Sequence, residues 1–124
     1  MGEGGGPRSV LIVDDHASFR SAARALLQGN GFEVVGESAD AEGALAAVAQ
    51  LRPAIVLLDI GLPDGDGFEV AERLARSDDP PVVILISSRE VAWYRRRLVA
   101  SPARGFIAKG ELSAAAVEAL MDGA

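Results

Sequence analysis

The sequence predicts an α/β fold, a doubly wound parallel sheet of (βα)5 form, on three observations. Short apolar runs recur along the chain, each bounded by polar residues or glycine. Between them lie stretches rich in Ala, Leu, Arg and Glu in which apolar residues return every three or four positions, the period of an amphipathic helix. The runs are continuously apolar rather than alternating, as strands must be when helices cover both faces of a sheet.

Each element follows in order. The opening Met1-Gly2-Glu3-Gly4-Gly5-Gly6-Pro7 is too rich in glycine to offset its ordering entropy, so residues 1–7 are expected to be a flexible tail and 8–122 one folded domain. The first strand is Val10 to Val13, and the helix after it carries Phe19, Ala23, Leu26 and Leu27 before Gly29-Asn30-Gly31 stops it. A second strand at Val34 and Val35 precedes a helix with Ala44, Leu45, Val48 and Leu51, closed by Pro53. The third, Ile55 to Leu58, leads to a helix with Val70 and Leu74 that ends before Pro80-Pro81. The fourth, Val82 to Ile86, precedes Val91, Tyr94 and Leu98, with Pro102 as the stop. The fifth, Phe106 to Ala108, is followed by a last helical stretch from Leu112 to Met121. Right-handed crossovers between such units favour the flavodoxin-like strand order 2-1-3-4-5.

A chain of 124 residues is one domain long, and its 49% apolar content is enough to build a core. The net charge of −6 argues against nucleic acid or an anionic membrane as a direct partner. With no cysteine there is no disulfide, thiolate nucleophile or sulfur-based metal centre, and a single histidine excludes multi-histidine sites. No apolar run approaches a membrane span, and the expected location is the cytoplasm. Every basic residue except Lys109 is an arginine, which draws attention to where that lysine falls.

Open α/β sheets bind ligands beyond the carboxyl ends of their strands. Asp14 and Asp15 follow the first apolar run, Asp59 the third, Ser87 and Ser88 the fourth, and Lys109 the fifth. Taken singly each has an ordinary role as a helix cap, loop residue or solvated terminus; it is their convergence on one edge that sets them apart. Three gathered carboxylates repel unless a cation intervenes, and oxygen ligands with room for water and a phosphoryl oxygen suit Mg2+. Such a set has the parts for phosphoryl transfer to a carboxylate: Asp59 as nucleophile, metal and Lys109 neutralising charge, and Ser87 donating a hydrogen bond.

Asp14-Asp15 after Val10-Leu11-Ile12-Val13, Val56-Leu57-Leu58-Asp59-Ile60-Gly61-Leu62-Pro63 with Asp66-Gly67 beyond, Ser87-Ser88, and Gly105-Phe106-Ile107-Ala108-Lys109 together resemble the response-regulator receiver domain of bacterial two-component signalling. The likeness runs from about Arg8 to Met121, and the Asp14-Asp15-His16 opening with the Lys109-Gly110-Glu111-Leu112 ending is most similar to receivers that precede a helix-turn-helix output domain. The resemblance implies that Asp59 accepts a phosphoryl group from the phosphohistidine of a sensor histidine kinase. Asp15, Asp59 and the carbonyl of Gly61 would ligate Mg2+, with Asp14 acting through a metal-bound water, while Ser87 and Lys109 would contact the phosphoryl group. Ser88 fits a neighbouring position where a small side chain leaves room. The chain would phosphorylate and dephosphorylate itself rather than turn over an external substrate. Ser87 and Phe106 would switch the surface of helix 4, strand 5 and helix 5, toward a second copy of the chain or a DNA-binding output domain on a longer polypeptide, and so toward control of transcription. Two departures are visible: Phe106 lacks the phenol common at its position, and Gly110 replaces a common proline, so a cis peptide there is not expected.

Other residues carry plainer expectations. His16 reads as a surface loop residue, Asp66 as the cap of the next helix with Pro63 and Gly65 shaping the loop before it, and Arg95-Arg96-Arg97 as a solvated face. Trp93 and Tyr94 read as packing residues. The rival function is a receiver-like interaction module that is never phosphorylated, marked by loss of an acidic, hydroxyl or lysine position, and none is missing. A flavin carrier of the same fold would want phosphate donors where Asp14 and Asp15 stand, and no glycine-rich loop ends in Lys-Ser or Lys-Thr for nucleotide hydrolysis.

Overall fold

Val10, Leu11, Ile12 and Val13 are wholly buried, as are Val56, Leu57 and Leu58, because helices cover both faces of the strands that carry them. In the computed structural model, which describes residues 5–122, five strands form one parallel sheet: β1 (Ser9–Val13), β2 (Glu33–Ser38), β3 (Ile55–Asp59), β4 (Val82–Ser87) and β5 (Gly105–Ala108). Their spatial order is 2-1-3-4-5, as the crossover rule predicts. Residues 1–4 of the expected tail lie outside the described residues; within the rest of it, the Gly5 N–H donates to the Arg52 carbonyl at 3.3 Å.

The helices are α1 (Ala17–Gln28), α2 (Ala41–Leu51), α3 (Gly67–Ala75), α4 (Arg95–Ala100) and α5 (Ala114–Asp122). Because successive strand residues point to opposite faces, the sheet divides its apolar side chains into two cores. Leu11, Val13, Val56, Leu58, Val83 and Leu85 pack under α2 and α3, while Val10, Ile12, Ile55, Leu57, Ile84 and Ile86 pack under α1 and α5. Each such aliphatic side chain contributes about 1.5–3 kcal/mol on burial.

Four details differ from the sequence reading. β2 is longer than Val34 and Val35, since an edge strand tolerates the polar Glu33, Glu37 and Ser38, and its register shifts where Val10 and Leu11 face Val34 and Gly36. The fourth helical stretch opens with a tighter 3-10 turn, Val91–Tyr94, before α4. Trp93 is 70% exposed, so it is not the packing residue expected. α5 begins at Ala114, after a 3-10 turn at Lys109–Glu111.

The segment after β3 is held from both sides. Gly61–Leu62 and Gly65–Asp66 pair as a small antiparallel ladder around Pro63 and Asp64. The Asp64 carboxylate accepts from the Ala41 and Glu42 N–H groups at 2.6 and 3.1 Å, fastening this loop to the positive end of α2. Asp66 caps α3 by accepting from the Phe68 N–H at 2.8 Å, as expected, and also pairs with Arg97 at 2.5 Å. Gly67 opens α3 against the backbone of Asp59: a Cβ there would stand 2.5 Å from the Asp59 carbonyl oxygen, so only glycine allows the approach.

Candidate functional site

Register brings the polar residues together. Val13 pairs with Leu58, so Asp14 and Asp59, one residue further along each strand, emerge side by side at the carboxyl edge. Asp59 pairs with Ile86 and Ser87 with Ala108, which sets Ser87 and then Lys109 on the same edge. Asp14 is 0% exposed, Asp59 5% and Ser87 4%, unusual burial for such groups without partners.

Lys109 is the hub. Its Nζ lies 2.5 Å from Asp14 Oδ2 and donates to Asp59 Oδ2 at 3.4 Å. It also stands 4.8 Å above the Phe19 ring, an apolar wall that screens the ammonium from water. Asp14 Oδ1 accepts from the His16 N–H at 2.8 Å and lies 3.0 Å from His16 Nδ1, and the Asp14 carbonyl accepts from Arg20 at 2.6 Å. The Gly61 N–H donates to Asp59 Oδ1 at 3.2 Å.

Burial pushes both buried carboxyls up, with opposite results. For Asp14 it is outweighed by the adjacent Lys109 ammonium and the contacts from His16, leaving the group below the usual carboxylate range. For Asp59 burial is reinforced by the neighbouring Asp14 charge, and Lys109 and the Gly61 N–H only partly oppose it, so Asp59 is raised. The nucleophile candidate is thus the group whose negative charge is least well compensated.

A cation would relieve this. Asp14, Asp15, His16 and Asp59 each present a ligand atom within 4.8 Å of the others. Although the Lys109 ammonium sits beside Asp14 Oδ2, that buried oxygen receives no aligned hydrogen bond among the described residues, which leaves a lone pair free for a metal or a metal-bound water. The donors are mainly hard carboxylate oxygens, and Asp15 is exposed enough to admit ion and water. The residues present fit Mg2+.

Asp14, Asp15, Asp59, Gly61, Ser87 and Lys109 therefore gather on the carboxyl edge, with Ser88 exposed just beyond Ser87. Phe106 lies further back on β5, its ring 6.1 Å from that of Tyr94. Three contacts escaped the sequence reading. His16 is a surface residue, as expected, yet its ring touches Asp14 and Asp15, at 3.0 and 3.1 Å. Asp64 anchors the loop after Asp59, and its signal, an acid free to reach a helix start distant in sequence, is visible only in three dimensions. Tyr94 reaches Ser87, hydroxyl to hydroxyl, at 3.3 Å.

Comparison with known proteins agrees with this arrangement. Residues 10–121 match the model of the response regulator receiver domain. The chain is 39% identical over 102 residues to BvgA of Bordetella pertussis, covering 82% of the chain and 49% of that protein. It is 30% identical over 103 residues to the DNA-binding transcriptional activator EvgA of Escherichia coli K12, covering 83% and 50%. The chain thus spans about half the length of the curated relatives it matches. Among solved structures it is similar to a LuxR-family two-component response regulator from Aurantimonas sp. SI85-9A1, with a TM-score of 0.83 at 27% identity, covering 93% of this chain and 85% of that one.

Proposed function

The chain belongs to the response regulator receiver domain family, and from that premise we propose that it takes a phosphoryl group onto Asp59 in a Mg2+-dependent reaction with a sensor histidine kinase. The observation that carries this reading is the buried Asp14, Asp59 and Lys109 constellation, in which one ammonium is shared by two carboxylates and Asp59 is raised.

Asp59 supplies the oxygen that forms the new P–O bond, while the P–N bond of the donor imidazole breaks and its electron pair leaves with nitrogen, which takes a proton from water. The Gly61 N–H and Lys109 fix the rotation of the Asp59 carboxylate so that an oxygen faces the cleft. Lys109, already between two carboxylates, turns its charge toward the added dianion, and Ser87 donates its hydroxyl proton to a phosphoryl oxygen. Asp15, Asp59 and the Gly61 carbonyl would hold Mg2+, with Asp14 acting through a bound water. When bound, the ion supplies positive charge that neutralises the phosphoryl oxygens during transfer. Water later removes the group, so the chemistry is one self-modification and its reversal.

Output runs along β5. Phe106 lines an open depression of about 410 Å3 with Val91, Ala92 and Ala108, room into which its ring can turn when Ser87 is drawn toward Asp59. The α4–β5–α5 surface then passes between two packings, toward a second copy of the chain or a DNA-binding output domain, and so to transcription. The working compartment is the cytoplasm, and no helix among the described residues is long and apolar enough to cross a membrane.

Intact-mass measurement after incubation with a small acyl phosphate and Mg2+ tests the reading. Wild type is expected to gain one phosphate and Asp59→Asn none; an Asn variant modified to the same extent overturns the assignment.

A further inference from the structure

Ser87 has a partner outside the acidic cluster. Its Oγ accepts from the Arg89 N–H at 3.0 Å and shares a hydrogen bond with the Tyr94 phenol at 3.3 Å. A serine hydroxyl has one proton and two acceptor lone pairs. Arg89 occupies one lone pair. A phosphoryl group on Asp59 offers only acceptors, so Ser87 must give it the single proton. Tyr94 can then keep its contact only as the donor to the second lone pair.

We propose that Tyr94 is a positioning residue whose phenol donates to Ser87 Oγ and, together with the Arg89 N–H, aims the serine proton at the phosphoryl group on Asp59. The inference rests on the phosphoacceptor reading above. The ring is set independently of its hydroxyl: it packs against Phe68 and Phe106 at centroid distances of 5.9 and 6.1 Å. Tyr94 also closes the 3-10 turn that leads directly into α4. One hydrogen bond thereby ties the hydroxyl that senses phosphate to α4, a role that Phe106, with no polar atom, cannot fill.

Tyr94→Phe removes the phenol and keeps the ring. Phosphorylation by a small acyl phosphate with Mg2+, followed by intact mass against time, is expected to slow about three- to tenfold, the size of one neutral hydrogen bond. In a Ser87→Ala background the same substitution should change nothing further, since no serine proton remains to be aimed. Equal rates for Tyr94→Phe and wild type, or an equal loss with and without Ser87, overturn the proposal. Should Tyr94→Phe not fold, the sole tyrosine labelled at Cζ gives a single carbon resonance. That resonance is expected to move on Ser87→Ala, and an unmoved one overturns the proposal. A wild type that takes no phosphate defeats the phosphoacceptor reading and this inference together, whereas a normal wild type with an unaffected phenylalanine variant defeats this inference alone.

Discussion

At Asp59 the protein holds a carboxylate against its own electrostatics: burial and the adjacent Asp14 both disfavour the charged form, and Lys109 is shared between the two acids. An acid whose pKa is raised by folding binds protons more tightly in the native state. Its favourable contribution is complete below the unfolded carboxylate range and disappears as pH rises through the folded value, so Asp59 in its charged form weakens the fold. Asp59→Asn is therefore expected to raise stability in urea by about 1 kcal/mol at neutral pH in the presence of a chelator. Saturating Mg2+ should narrow that gap, because the ion stabilises wild type more. An Asn variant no more stable than wild type in chelator would contradict the raised Asp59. The same residue explains why the site was readable from one dimension. Asp14, Asp59, Ser87 and Lys109 each stand directly after an apolar run, with Asp15 one residue beyond Asp14, and strand ends in a parallel sheet converge without further information. His16, Asp64 and Tyr94 gave no such signal, since each meets its partner through a turn or loop whose path depends on packing.

Elements show a similar division. β1, β3 and β4 were legible because they are central and buried on both faces, so burial leaves a continuous apolar run. β2 was only partly legible because, at the edge, Glu37 can face outward and serve another purpose. It accepts from Arg24 at 2.6 Å and Arg20 at 3.0 Å, joining α1 to the sheet. The Arg24 hydrogen bond, with Arg20 beside it, holds the Glu37 carboxyl below its ordinary value. For an acid lowered by folding, the stabilisation is present above the unfolded value and is lost as pH falls through the folded one. Glu37→Gln is accordingly expected to cost about 1 kcal/mol at neutral pH, a modest figure because the pair is partly solvated. The difference between the variant and wild type should close in acid, as read from urea midpoints at the two pH values; a gap that widened in acid would contradict the ion-pair assignment. α4 was the least legible element. Its apolar spacing fits a full helix, yet Val91–Tyr94 winds as a 3-10 turn that carries Tyr94 inward and leaves Trp93 outside.

On the scale of the whole molecule, strand order turns five separate sequence positions into one site. Two cores, one on each face of the sheet, fix strand register, and register fixes which side chains emerge together at the carboxyl edge. At the opposite edge the bend at residues 77–79 leads through Pro80-Pro81 into β4. Ser87, Tyr94 and Phe106 form one run of contacts on the α3 and α4 side of the sheet, the route along which the proposed change at Asp59 would act on α4 and β5. The proposed phosphoacceptor role turns on which atom takes the phosphoryl group. An acyl phosphate is reduced by borohydride to an alcohol, so treating the phosphorylated chain and mapping its peptides marks the acceptor as homoserine. Homoserine at position 59 is the predicted result; homoserine at Asp14 or Asp15, or none anywhere in a chain that has gained phosphate, would contradict it.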